Sequence, residues 1–145
     1  MSAKVPLPMA PSILVECTQC AKCCTYVGVG INTPRNVRYA TDILWYLYHE
    51  NVSVHLDGEG DWMVIFESRC KKLQDDLLCG VYENRPVVCR EFDNRSCEVN
   101  APGRGQTFTE PRQFLDWLKA NKPGLHLRVA RKYVPPSVAA PPAGR

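Results

Sequence analysis

Eight cysteines are the residues of this 145-residue chain whose type and spacing could do chemistry. Cys17, Cys20, Cys23 and Cys24 fall within eight residues, and Cys70, Cys79, Cys89 and Cys97 form a second, looser block. A C-x-x-C unit turns the chain within two residues, brings both sulfurs to one ion and points backbone N–H groups at the thiolates. Two such units overlap between Cys17 and Cys23, so three sulfurs converge. Thioredoxin-type redox pairs share the spacing, but eight cysteines in two blocks read better as metal ligands than as disulfides or redox catalysts.

The three-cysteine run is that of bacterial ferredoxins, except that no cysteine-proline follows three residues later and Cys24 comes next instead. Neighbouring side chains point in different directions in a helix or a strand. One of Cys23 and Cys24 therefore ligates, while the other supports it or serves a second metal. In the second block, Cys79-Gly-Val-Tyr82-Glu-Asn-Arg85-Pro86-Val-Val-Cys89-Arg-Glu-Phe92, Pro86 predicts a helix start with Cys89 in its first turn. There the dipole and the flanking Arg85 and Arg90 would favour thiolate. The competing reading leaves both arginines in solvent or paired with Glu83 and Glu91. Tyr82 and Phe92 read as core or as apolar cover. Closed zinc sites with four cysteines usually draw on two separated pairs, whereas three closely spaced cysteines and a remote fourth are typical of a cubane. The spacing thus leans to an iron–sulfur cluster, with zinc as the rival, and eight thiolates suffice for two zinc ions.

The run from Cys17 to Cys24, followed by Cys79-x-x-Tyr82-x-x-Arg85-Pro86-x-x-Cys89-Arg90-x-Phe92, resembles the CxxCxxCC cysteine-cluster family of zinc- or iron-chelating domains. Cys70, Leu73 and Cys97 fit the same pattern, so the resemblance spans about residues 17–97. It implies metal chelation by Cys17, Cys20, Cys23, Cys24, Cys70, Cys79, Cys89 and Cys97, and it supplies no reaction. Flagellin lysine methylases carry a similar cysteine pattern. This chain, however, lacks a glycine-rich strand-turn-helix for a methyl donor, since Gly28-x-Gly30 has no third glycine. His49, His55 and His126 are too scattered for a hydrolytic site and are not read as ligands. Asp75-Asp76, between Leu73 and Leu77-Leu78, marks a turn.

The elements that must position these residues are short. Thr33-Pro34 reads as an N-cap and first turn, and Val37, Ala40, Leu44, Leu47 and Tyr48 recur at helical spacing, predicting a helix from Pro34 to Glu50. Val52, Val54 and Leu56 alternate with polar residues, residues 57–60 turn the chain, and Trp62–Phe66 returns, predicting a β-hairpin. Further helices are expected near Pro86 and from Thr109-Glu110-Pro111, the latter ended by Lys122-Pro123-Gly124. The expectation is an α+β fold, a small single domain of short helices and a hairpin organised around a cysteine-ligated metal centre. Its bounds are residues 12–133, with a flexible segment at 1–11 and a Pro/Ala-rich disordered tail at 134–145. Its apolar core looks modest, which suits a metal staple.

Composition sets the remaining bounds. Forty-five per cent hydrophobic and 23% charged is ordinary for a globular chain. No stretch is long and apolar enough for a signal peptide or a membrane span, so the cytoplasm, where thiols stay reduced, is the expected compartment. The formal charge is +3, yet from Lys119 onward six basic residues meet no acidic one, leaving 12 basic against 15 acidic residues before it. That basic end could meet an acidic protein partner or, with weaker support, nucleic acid; spread-out cations also serve simply as a solvated face. Three functions fit: a metal-binding module in electron transfer or redox sensing, a structural-zinc adaptor with a basic partner-binding end, and an accessory or catalytic subunit of a redox enzyme.

Overall fold

Alternation and helical spacing locate most of the architecture in the computed structural model, which describes residues 20–91, 93, 95, 97 and 103–133. Cys17, Phe92 and the stretches 1–11 and 134–145 lie outside the described residues. In chain order the elements are β1 (Tyr26–Ile31), α1 (Val37–Leu47), β2 (Val52–Leu56), β3 (Trp62–Glu67), α2 (Val87–Arg90), β4 (Gln106–Phe108), α3 (Pro111–Asn121) and α4 (Pro123–Lys132). One antiparallel sheet with strand order β1-β3-β2-β4, accompanied by helices, makes the fold α+β. No described helix is long and apolar enough to cross a membrane.

The first helix is shorter than the sequence suggests. Asn36, not Thr33, is its N-cap: extended in backbone, it accepts the Tyr39 N–H at 2.9 Å through its side chain, satisfying one of the donors that a helix start leaves open. Ala40, Ile43, Leu44 and Leu47 are its buried stripe, at the i, i+3, i+4, i+7 spacing of one helical face. The expected hairpin forms, with Val54 opposite Val64 and Leu56 opposite Trp62. Its turn is held by Asp57, whose carboxylate accepts the Glu59 and Asp61 N–H groups at 2.9 and 2.8 Å, and Gly60 supplies a φ of 95° that other residues resist.

Two strands and a helix go beyond the sequence reading. β1 carries Gly28 and Gly30 where an alternating strand would show polar side chains, and β4 has only three residues. Lys122-Pro123-Gly124 does stop α3, but the same proline then opens α4 at its first turn, where a missing N–H costs nothing.

The chain divides into two compact units, one of Met1–Thr25 with Arg69–Gly103 and one of Tyr26–Ser68 with Arg104–Arg145. The second holds the whole sheet, α1, α3 and α4 around a core that includes Val54, Trp62, Val64, Phe108, Phe114, Leu118 and Val129. Its aromatic rings pack at favoured angles, Trp62 stacked on Phe108 at 5.8 Å and edge-on to Trp117 at 4.9 Å. A fully buried side chain of this core, such as Phe108 or Phe114, contributes roughly 1.5–3 kcal/mol. The first unit is differently built: among its described residues only Ala21 and Leu73 are buried apolar side chains.

Candidate metal centre

Every described cysteine lies in the first of these units: Cys20, Cys23, Cys24, Cys70, Cys79, Cys89 and Cys97. None of these seven is in a disulfide. The N-terminal block is shaped by Ala21, buried and left-handed at φ 49°, and by a 3-10 turn over Lys22–Cys24 in which the Cys24 N–H donates to the Ala21 carbonyl at 3.0 Å. A left-handed non-glycine residue costs about 1–2 kcal/mol, so the bend between Cys20 and Cys23 is held against a local preference. Nothing in the sequence marks it, because alanine seldom adopts this conformation.

The second block meets the first through the backbone. The Cys70 N–H donates to the Cys24 carbonyl at 2.7 Å. From Cys70 the chain makes a tight loop: Leu73 bridges to Cys79, Gly80 N–H donates to Lys72 O at 2.8 Å, and Gln74 N–H donates to Leu78 O at 2.9 Å. Asp75-Asp76 form its turn as expected, with the Asp76 carboxylate accepting the Leu78 N–H at 3.1 Å. Cys89 then sits in the first turn of α2, whose N-cap is Pro86; its N–H donates to Pro86 O at 3.0 Å. The two arginines take a third course between the alternatives considered. Arg85 stacks 3.9 Å over the Tyr82 ring and donates to the carbonyls of Tyr82 and Cys89, while Arg90 donates to the Glu83 carbonyl. Tyr82 is exposed beneath that guanidinium as a stacking platform and is not part of a core.

The Cys24 thiol is shifted by its surroundings. Burial pushes it above the usual cysteine range, a hydrogen bond from Cys23 pulls it down, and Cys70, Cys79 and Cys89 push it up again as negative neighbours. Cys24 thus feels three thiols of the second block, and it is half-buried where Cys23 is exposed. Even so, among the described residues no three cysteine, histidine, aspartate or glutamate side chains are grouped closely enough to hold a metal ion. The blocks are neighbours, and their sulfurs are not converged. All three histidines belong to the other unit; His49 Nδ1 lies 2.8 Å from the Trp45 carbonyl and His55 Nδ1 2.9 Å from Thr107 Oγ1.

Compared with known families, the chain matches over residues 16–114 the CxxCxxCC family, described as "Putative zinc- or iron-chelating domain". The chain belongs to the CxxCxxCC family. The match runs beyond the cysteines, through β4 and into α3. No curated protein and no solved structure matches the chain. Membership makes a CxxCxxCC protein of this chain, and with it a zinc- or iron-chelating one. The donors fit that chemistry: sulfur-only ligation suits zinc and iron–sulfur clusters and disfavours hard oxygen-seeking cations.

Proposed function

We propose that this CxxCxxCC protein holds an iron–sulfur cluster on its clustered cysteines and works in electron transfer or redox sensing in a reducing, cytoplasmic compartment. One observation supports it above the rest: all described cysteines fall in a unit whose described residues include only two buried apolar side chains. With so little hydrophobic burial among the described residues, metal binding is in this reading a main source of the unit's folding free energy. The overlapping C-x2-C-x2-C spacing of Cys17, Cys20 and Cys23, with remote cysteines added, favours a cluster over a single closed zinc site. Bound there, a cluster would supply one-electron chemistry. A cluster takes four thiolates, so its ligands would be drawn from Cys17, Cys20, Cys23, Cys24, Cys70, Cys79, Cys89 and Cys97.

The chain's own residues have defined parts in this reading. Ala21 bends the first block, the Cys24–Cys70 backbone bond fixes the second beside it, and Arg85 braces α2 through the Cys89 carbonyl. The rival is a structural zinc site in an adaptor whose partner is met by the exposed Arg128, Arg131 and Lys132 of α4. Anaerobic purification with an absorption spectrum and iron, sulfide and zinc analysis separates them. Visible charge-transfer absorption with acid-labile sulfide matching iron is the expected result. Zinc alone in protein made under iron-replete anaerobic conditions would refute the cluster and favour the adaptor, and native disulfides among these cysteines in fresh lysate would refute both.

A further inference from the structure

Natural sheets blunt their edge strands with charges, proline, bulges or brevity. One edge here obeys that rule, since β4 is three residues long. The other does not. β1 reads Tyr-Val-Gly-Val-Gly-Ile, with no charge and no proline, and its six residues pair with β3 in unbroken register. Among the described residues no strand pairs with its outer edge.

The face it presents is equally unfinished. Val29 lies opposite Val64 and Ile31 opposite Trp62, and cross-strand partners share a face of the sheet. Val64 and Trp62 are 2% and 4% exposed, yet Val27 and Val29 on that same face are 53% and 48% exposed. The apolar face therefore continues one strand past its cover. Where the cover stops, an open groove of about 300 Å³ runs between the sheet, at Val29, Ile31 and Phe66, and α1, at Tyr39, Asp42 and Tyr46. Asp42 is only partly exposed in this groove, and among the described residues no hydrogen bond or ion pair engages its carboxylate.

We propose that β1 is a docking edge for an extended segment of a partner protein, which adds as a fifth strand, covers Val27 and Val29 with alternate apolar side chains and sets a lysine or arginine against Asp42. Main-chain pairing gives such strand addition its affinity, and the pockets for alternate side chains give its specificity. The charge decides between occupants. A second copy of β1 is uncharged from Tyr26 to Ile31 and would leave Asp42 as unpaired as it is now, whereas a basic side chain answers it with a charge-assisted bond.

The test uses the full chain and a fluorescein-labelled, capped peptide Val-Thr-Lys-Thr-Val-Ser-Val, whose alternate residues put lysine and valine on one face. Saturable binding by fluorescence polarisation is expected, at least about tenfold weaker for the same peptide with glutamate in place of lysine. Asp42→Asn should erase that preference, and N-methylation of alternate peptide amides should abolish binding. Val29→Lys, checked for folding by circular dichroism, should abolish it too. Should the variants misfold, the two charge forms of the peptide still decide the matter on the unaltered protein. Equal affinity for the lysine and glutamate peptides, retained binding of the N-methylated peptide, or no saturation below millimolar concentration would overturn the proposal. So would a dimer in sedimentation that excess peptide fails to dissociate, which would give the edge to a second copy.

Discussion

Cys23 and Cys24 are adjacent in sequence and differ in surroundings: Cys23 is exposed, while Cys24 is half-buried and feels Cys70, Cys79 and Cys89. Adjacency alone tells only that the two point apart, which is why the sequence leaves their roles open. Serine at Cys24 should lower metal stoichiometry and the denaturation midpoint together, as fully as serine at Cys20 or Cys89, if metal binding supplies folding free energy as proposed. Full metal content in Cys24→Ser alongside its loss in Cys23→Ser would assign ligation to the exposed neighbour. Two glycines in the other unit separate close packing from open space. A Cβ at Gly105 would lie 2.5 Å from the His55 ring and 2.9 Å from the Leu56 carbonyl, whereas one at Gly30 would meet nothing within 4 Å. Gly105→Ala should therefore cost about 1–3 kcal/mol by overpacking, and Gly30→Ala should be neutral or stabilising by a few tenths of a kcal/mol; urea midpoints at constant slope measure both. Tyr48 adds a pH dependence. Burial pushes its phenol above the usual range, and its hydroxyl shares a hydrogen bond with that of Tyr133. With the folded value raised, its contribution is whole below about pH 10, the ordinary tyrosine value, and is lost as pH rises through the folded one. The residue is half exposed, so the effect is small. Tyr48→Phe should flatten the alkaline limb of a stability profile, and an unchanged limb would exclude the contribution.

Elements with a clear period were legible and those without were not. The stripe from Val37 to Leu47 and the alternation in β2 and β3 announce themselves, although the helix boundary shifted to Asn36 because its side chain, not that of Thr33, reaches an open N–H. β1 escaped because two glycines erase its alternation, and β4 because three residues hold no period at all. α4 escaped for another reason, since proline after a helix signals both an end and a new beginning. The start of α3 shows what a legible boundary rests on. Gln113 Oε1 accepts the Thr109 and Glu110 N–H groups at 2.7 and 3.1 Å, so Gln113→Ala should destabilise the protein by about 0.5–2 kcal/mol. Thermal unfolding should show it as a lower midpoint, while Gln113→Glu, which keeps an acceptor, should recover most of the loss. No change on removing the side chain would mean that water replaces it without cost.

At the scale of the molecule, hydrophobic burial and sulfur are kept apart. The aromatic core sits in the unit of the sheet, and every described cysteine in the other. Sequence composition averages over both, which is why a modest core for the whole length was all that could be read from it. Chelation of the metal, followed by hydrogen exchange, should therefore raise exchange at the amides of Cys70, Gly80 and Cys89 while those of β2 and β3 stay protected. Uniform loss of protection would show a single cooperative body. One feature of the sheet bears on how the metal is captured at all. Tyr26 and Glu67 are partners at the end of the β1–β3 ladder, so the excursion between them starts and finishes at the same place. Forty-five residues separate Cys24 from Cys70, and closing a flexible loop of that length would cost about 3 kcal/mol in chain entropy plus a constant. The ladder has already met that cost before any ion arrives. If these cysteines are the ligands, an incoming metal is spared the closure of that loop, and the second set of thiolates would meet it at a high effective molarity once the first has bound.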